Sequence, residues 1–387
     1  MQKKTDSKER LESLTSLRFF AAFYVVLFHY LPNWFPESFV DRDSHAWKSA
    51  ICMGYIGVPF FYLLSGYVLT YGYGKALSTG GISNFEFWRR RFFRLFPVLA
   101  ISLALGFLPL IVGLRKEALS SFDAIAQSMK FLVLNLLGLG AWFPESLRIN
   151  FPAWSISVEA FFYLLFPFLF VKAQRFRIFS PAVGLVLCWL ASCALALSFF
   201  GADSEIFSIP GNQPQNWLHG ANHYALREFM DVNPFMHFMT FLSGVFLFQI
   251  HSSQKINTRA PFLLLASCLS LCLVVQFGDK IPYVLLHVGF LIPIFSALII
   301  ASLECQWLRS FLEIRPLVLL GESSFALYMI HVPLRDYFSF VWNHTNARNG
   351  PAFPLLISIA MLVVIGASTL LFLRVERPIV LYARAAK

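Results

Sequence analysis

The sequence predicts an all-α fold, a bundle of about ten membrane-spanning helices. Three observations predict it. The first is composition: 57% of the 387 residues are apolar and 13% are charged, whereas ordinary soluble domains carry about 25% charge. Too few polar residues remain to clothe a water-facing surface, and lipid removes that need. The second is the recurrence of apolar runs of roughly 18 residues or more, long enough at 1.5 Å per residue to cross the hydrocarbon core. The third is that basic residues gather in short segments between those runs, as the positive-inside rule requires. The net charge of +10 is therefore a property of one membrane face, which argues against nucleic acid as a partner.

Taken in order, the runs fall near 14–31, 51–73, 92–113, 154–172, 180–200, 229–250, 261–277, 282–303, 317–340 and 354–373. The first contains Arg18 and is followed by no small-residue cleavage pattern, so it reads as a retained helix and not a signal peptide. Residues 121–142 are apolar but interrupted by Lys130, Asn135 and Gly138-Leu-Gly140. A crossing there would invert every later loop and turn the Lys172, Arg175 and Arg177 cluster outward. We therefore expect a re-entrant or interfacial segment, with both termini cytoplasmic. The longest polar stretch, 201–228, falls on the outer side in this arrangement and is long enough for a lid or an acceptor-contacting loop. A single membrane-embedded domain over 1–387 is expected, with no appended soluble domain and no internal repeat. The six cysteines form no CxxC pair and no metal-ligand spacing, so they read as small buried hydrophobes, and no metal is expected.

Ionisable residues inside spans are costly and mark function by default. Arg18 and His29 lie eleven residues apart in one helix, so they share a face and stand about 16 Å apart along the axis. A cation near one mouth can hold an anionic donor while an imidazole deeper in acts as general base. The competing reading is a packing histidine with a snorkelling arginine. Glu159, in Trp154-Ser155-Ile-Ser157-Val-Glu159, needs a partner: either a histidine that it orients, or an arginine that it neutralises. His331 is a second buried imidazole, structural or catalytic. Arg91 and Arg94 share a helix face and suit a phosphate, although lipid headgroups are an equal alternative on these residues alone. Ser65 and Gly66 end a bulky aromatic patch with small residues, where a thin ligand or a second helix can approach.

With these residues in place, the chain resembles the acyltransferase 3 family of integral membrane O-acyltransferases from about Leu14 to Pro378. The resemblance rests on six signposts in order: Leu17-Arg18 with His29; Phe60-Phe61-Tyr-Leu-Leu-Ser65-Gly66; Arg91-Phe-Phe-Arg94; Trp154-Ser-Ile-Ser157-Val-Glu159; Gly321 through Tyr328 and His331 to Pro333; and Glu376-Arg-Pro378. It implies transfer of an acyl group, usually acetyl, from cytoplasmic acyl-CoA as co-substrate to a hydroxyl of a carbohydrate. That acceptor is a surface polysaccharide, exopolysaccharide or lipid-linked glycan at the bacterial inner membrane, and no resident cofactor is implied. It assigns the essential first-helix histidine to His29, with Arg18, Arg91 and Arg94 handling the donor. Trp154, Ser157, Tyr328 and His331 join Ser65 and Gly66 as pocket candidates. Some family members carry an additional esterase-like domain, which this chain is expected to lack. The rival reading is a transporter or lipid-linked glycan flippase, with Arg18, Glu159 and His331 along a polar path; a non-catalytic scaffold gives no reason to bury them.

Overall fold

The computed structural model describes residues 2–34, 50–117, 119–175, 180–202, 230–253, 259–345, 350 and 352–385. Over these residues the chain is helical. In chain order the helices are α1 (Gln2–Trp34), α2 (Gly57–Ser78), α3 (Asn84–Lys116), α4 (Ser121–Leu136), α5 (Ala153–Arg175), α6 (Pro181–Ala202) and α7 (Pro234–Ser253). They continue with α8 (Ala260–Phe277), α9 (Tyr283–Val288), α10 (Ile292–Glu304), α11 (Gln306–Leu312), α12 (Arg315–Glu322), α13 (Ser324–His344), α14 (Phe353–Leu371) and α15 (Arg377–Ala385). Among the described residues, eight segments are long and apolar enough to cross a membrane, and nine if α12 and α13, bent by 59° at Ser323, count as one span. The protein is a multi-pass membrane protein. Nine of the ten expected runs coincide with these segments. The tenth is α7, where His237, Thr240, Ser243, Gln249 and His251 dilute an otherwise apolar run.

The segment 121–142 does not form a span. Helix α4 has 16 residues, about 24 Å of length, which is short of the hydrocarbon core. At its end Gly138 takes a left-handed φ of 72°, a conformation that glycine adopts without steric cost. The chain then returns through 3₁₀ turns at Gly140–Trp142 and Pro144–Ile149. Asn135, one of the interruptions noted in the sequence, clamps this return: its Nδ2 donates to Ser146 O at 2.8 Å and Phe131 O at 2.9 Å. Phe122, Ile125, Met129 and Val133 make an exposed apolar stripe at helical spacing, the face a helix turns to lipid. The 201–228 stretch lies outside the described residues beyond the end of α6, as does Arg177.

Helix α7 packs against both α2 and α6. Its seam with α2 is set by two glycines. A Cβ on Gly66 would run into the backbone carbonyl of Phe241, and one on Gly244 would come within 2.8 Å of Tyr67 N. Gly66 is therefore spent on close helix packing, and the ligand-approach role considered for it has no room there.

Two of the prolines inside spans, Pro167 and Pro333, free backbone carbonyls one turn earlier that side chains then answer, because proline lacks an N–H. Pro167 in α5 frees Tyr163 O, which accepts the Trp88 indole N–H at 3.0 Å. Pro333 in α13 frees Met329 O, which accepts Asn150 Nδ2 at 3.0 Å. The same amide donates to Ser102 Oγ at 3.1 Å. In a membrane interior such groups must find protein partners. Between α14 and α15, Phe372–Glu376 forms a π-helical turn. Its extra residue swings Glu376 inward to complete burial.

Candidate active site

Helix α1 carries two sites at two depths. At the first, Arg18 is half-buried, and its electrostatic neighbours are Glu159, Tyr163 and Arg91. Arg94 senses Arg18, Arg91, Tyr163 and Glu159 in turn. Three guanidinium groups therefore converge from α1 and α3. Arg91 donates from Nη2 to Tyr73 Oη at 2.7 Å and lies 4.8 Å from the centroid of that ring. Its Nε is buried without a hydrogen-bond partner. Arg94 is ion-paired with Glu376, which the π-turn delivers, and stands over Phe325. Glu159 accepts the Tyr163 hydroxyl at 2.6 Å, and Ser65 hydrogen-bonds that same hydroxyl. Two carboxylates against three arginines leave the cluster net positive, suited to a phosphate-bearing ligand.

At the second depth His29 meets His331. Nδ1 of His29 lies 3.1 Å from Nε2 of His331, with ring centroids 5.0 Å apart. Hydrogen-bond partners fix the protons. His331 Nδ1 stands 2.6 Å from Tyr328 O; a carbonyl only accepts, so His331 carries its proton on Nδ1 and offers a lone pair at Nε2. His29 Nδ1 faces Val25 O at 3.0 Å and the His331 lone pair, so its proton also sits on Nδ1. Its basic lone pair is then on Nε2, the arrangement a general base requires. Tyr30 donates to His331 O at 2.7 Å, and Asn150 holds Met329 two residues before the imidazole. Replacing Asn150 with Ala leaves Met329 O without this donor, while Ser102 keeps its bond to Leu99 O. Destabilisation of about 2 kcal/mol is expected, read as a lower melting midpoint in detergent; an unshifted midpoint would show that the amide is dispensable.

His29 also lines a recess of about 40 Å³, room for two or three water-sized groups. Phe28, Tyr55, Trp154, Tyr283 and Tyr328 supply most of its wall, with Asp231 and His287 as polar groups. Tyr328 shares a hydrogen bond with Ser155. Of the pocket candidates, Trp154 and Tyr328 reach this recess and His331 backs it. Ser65 belongs to the arginine cluster, and Ser157 bridges to Gly138 O at 2.5 Å.

The sequence left Glu159 with two possible partners, a histidine or an arginine, and its electrostatic neighbours are Arg18, Arg91 and Arg94. Glu159 bonds Tyr163 and not His29, because α5 presents it at the depth of Arg18. The group that stands beside His29 is His331. Sequence reasoning passed over Asp231, His237, His287 and the Arg335–Asp336 pair, joined at 2.8 Å. Each lies inside an expected span, which is itself the signal that marks such residues.

A family model described as an acyltransferase domain matches residues 11–373. The chain belongs to the acyltransferase 3 family. It is similar to Acyltransferase MdmB of Streptomyces mycarofaciens, 30% identical over 85% of this chain and 80% of that protein. It is also similar to O-acetyltransferase OatA of Staphylococcus aureus, 23% identical over 85% of this chain and 51% of OatA. A third relative, YrhL of Bacillus subtilis, is named as a proposed peptidoglycan O-acetyltransferase; it is 24% identical over 86% of this chain and 50% of its own length. The chain thus spans about half the length of the two O-acetylation relatives. No solved structure matches it. This acyltransferase 3 member is therefore a membrane acyltransferase, and the family implies an acyl donor and an acceptor.

Proposed function

We propose that the chain is a plasma-membrane O-acyltransferase with cytoplasmic termini. It moves an acyl group, acetyl in the first instance, from cytoplasmic acyl-CoA to a hydroxyl of a surface polysaccharide, exopolysaccharide or lipid-linked glycan. The observation that carries this reading is the contact of His29 with His331 on the wall of a recess, one stretch of α1 away from a net-positive arginine cluster. The name of OatA supports O-acetylation, and that of YrhL supports a carbohydrate acceptor.

In this reading Arg18 and Arg91, with Arg94 beside its Glu376 partner, hold the phosphates of the CoA donor. The thioester reaches His29 along α1. Nε2 of His29 takes the proton of the acceptor hydroxyl as its oxygen bonds to the thioester carbon. The C–S bond then breaks, and the leaving thiolate recovers the proton from the imidazolium. His331 accepts from His29 Nδ1 throughout and stabilises the charged ring. An acyl-histidine intermediate followed by attack of the hydroxyl gives the same products.

The test is incubation of purified protein with isotopically labelled acetyl-CoA and a panel of cell-surface glycans, read by mass spectrometry. Labelled glycan with stoichiometric CoA release is expected; neither product with any acyl-CoA would sink the reading. In the same assay Arg91→Ala should raise the acyl-CoA KM by about tenfold or more, the loss of one charged hydrogen-bond donor. An unchanged donor KM would remove Arg91 from the donor site.

A further inference from the structure

The recess beside His29 has a second histidine pair behind it. His237 and His287 place their Nε2 atoms 2.8 Å and 3.0 Å from the same backbone carbonyl, Asp231 O. That carbonyl only accepts, so both rings donate through Nε2 and keep an acceptor lone pair at Nδ1. The His237 Nδ1 is buried without a hydrogen-bond partner, a costly condition when nothing answers it. The two rings sit 5.2 Å apart, and Trp154 lies 5.3 Å from His237 and 5.7 Å from His287. Tyr283 stacks on His287 at 5.2 Å with an interplanar angle of 17°, and Tyr55 meets Tyr283 at 4.8 Å. His287, Asp231, Tyr283, Tyr55 and Trp154 all face the cavity that His29 faces.

A wall of rings backed by hydrogen-bond acceptors suits a ligand with apolar C–H edges and O–H donors, which is the chemistry of an alcohol. The cavity is small, about 40 Å³, and suits a short hydroxyl-bearing end of a ligand. We propose that this recess is the acceptor subsite: the hydroxyl-bearing end of the carbohydrate enters it, packs against Trp154 and Tyr283, and is held by His287 with its hydroxyl at His29. The proposal rests on the O-acyltransferase reading and adds positioning residues that the arginine cluster and the His29–His331 pair do not supply.

Two variants test it by different routes. His287→Phe keeps a ring and removes the nitrogens; Val58 also lines the recess, and Val58→Leu adds a methylene group to its wall. Both are assayed by labelled acyl transfer across a range of acceptor and of acyl-CoA concentrations. The acceptor KM should rise by about tenfold in each, the equivalent of one lost hydrogen bond or one steric misfit, while the acyl-CoA KM holds. An unchanged acceptor KM in both variants, or parallel shifts in both KM values, overturns the subsite while leaving the enzyme reading intact. Failure of the wild type to acylate any carbohydrate overturns both.

Discussion

Replacing His29 with Gln should lower the rate of acyl transfer by about 10²- to 10⁴-fold while the protein still inserts and elutes as a single species. Glutamine retains a donor toward Val25 O and His331 Nε2, so packing is preserved and only the basic lone pair is lost. The expected companion result is a smaller loss in His331→Gln, because in the proposed mechanism His331 acts through His29, holding the proton on Nδ1 and steadying the imidazolium. The measurement is single-turnover transfer of labelled acyl groups. Wild-type rates in His29→Gln would remove the imidazole from the chemistry. Equal losses in the two variants would instead point to a base shared between the rings.

The second large effect concerns stability. Glu376 is completely buried and its partner Arg94 is 20% exposed on its side chain. Removing the carboxylate in Glu376→Ala leaves a cation largely inside the protein, with destabilisation of about 3 kcal/mol, near the lower end for a broken buried pair because water reaches part of Arg94. The double variant Arg94→Leu with Glu376→Leu should recover most of that loss, since replacing both charges by apolar groups removes the unmatched cation. Thermal unfolding in detergent compares the two. A single variant as stable as wild type would show that Arg94 finds its balance elsewhere, with Glu159 the nearest alternative.

The helices were legible in the sequence because a lipid-spanning run must be long and apolar, and little else in a protein looks like that. Arg18 and His29 were legible as a pair because helical geometry fixes the spacing of residues on one helix. Their cross-helix partners were not. His29 and His331 are 302 residues apart, and the period of a helix says which residues share a face but not which face meets another. Glu159 shows the same limit: its need for a partner was evident, but the donor it finds is Tyr163 one turn along its own helix, with arginines of α1 and α3 nearby. Gly66 shows a different one. A small residue beside large ones admits a ligand or a helix equally, and only the seam with α7 tells them apart. Asn135 read as a blemish in a span, yet it is the clamp that turns the chain back.

The two proline breaks have a consequence for how the protein tolerates its surroundings. The helix that carries Glu159 and the helix that carries His331 are each pinned by a side chain from another element, Trp88 in one case and Asn150 in the other. A sliding motion along the membrane normal, the ordinary response of a helix to a thinner or thicker bilayer, would have to part these pins. The distance between the charged chamber and the imidazole chamber is therefore set like the spacing of rungs on a ladder, by cross-pieces within the protein, so the enzyme carries its own ruler and does not borrow one from the lipid.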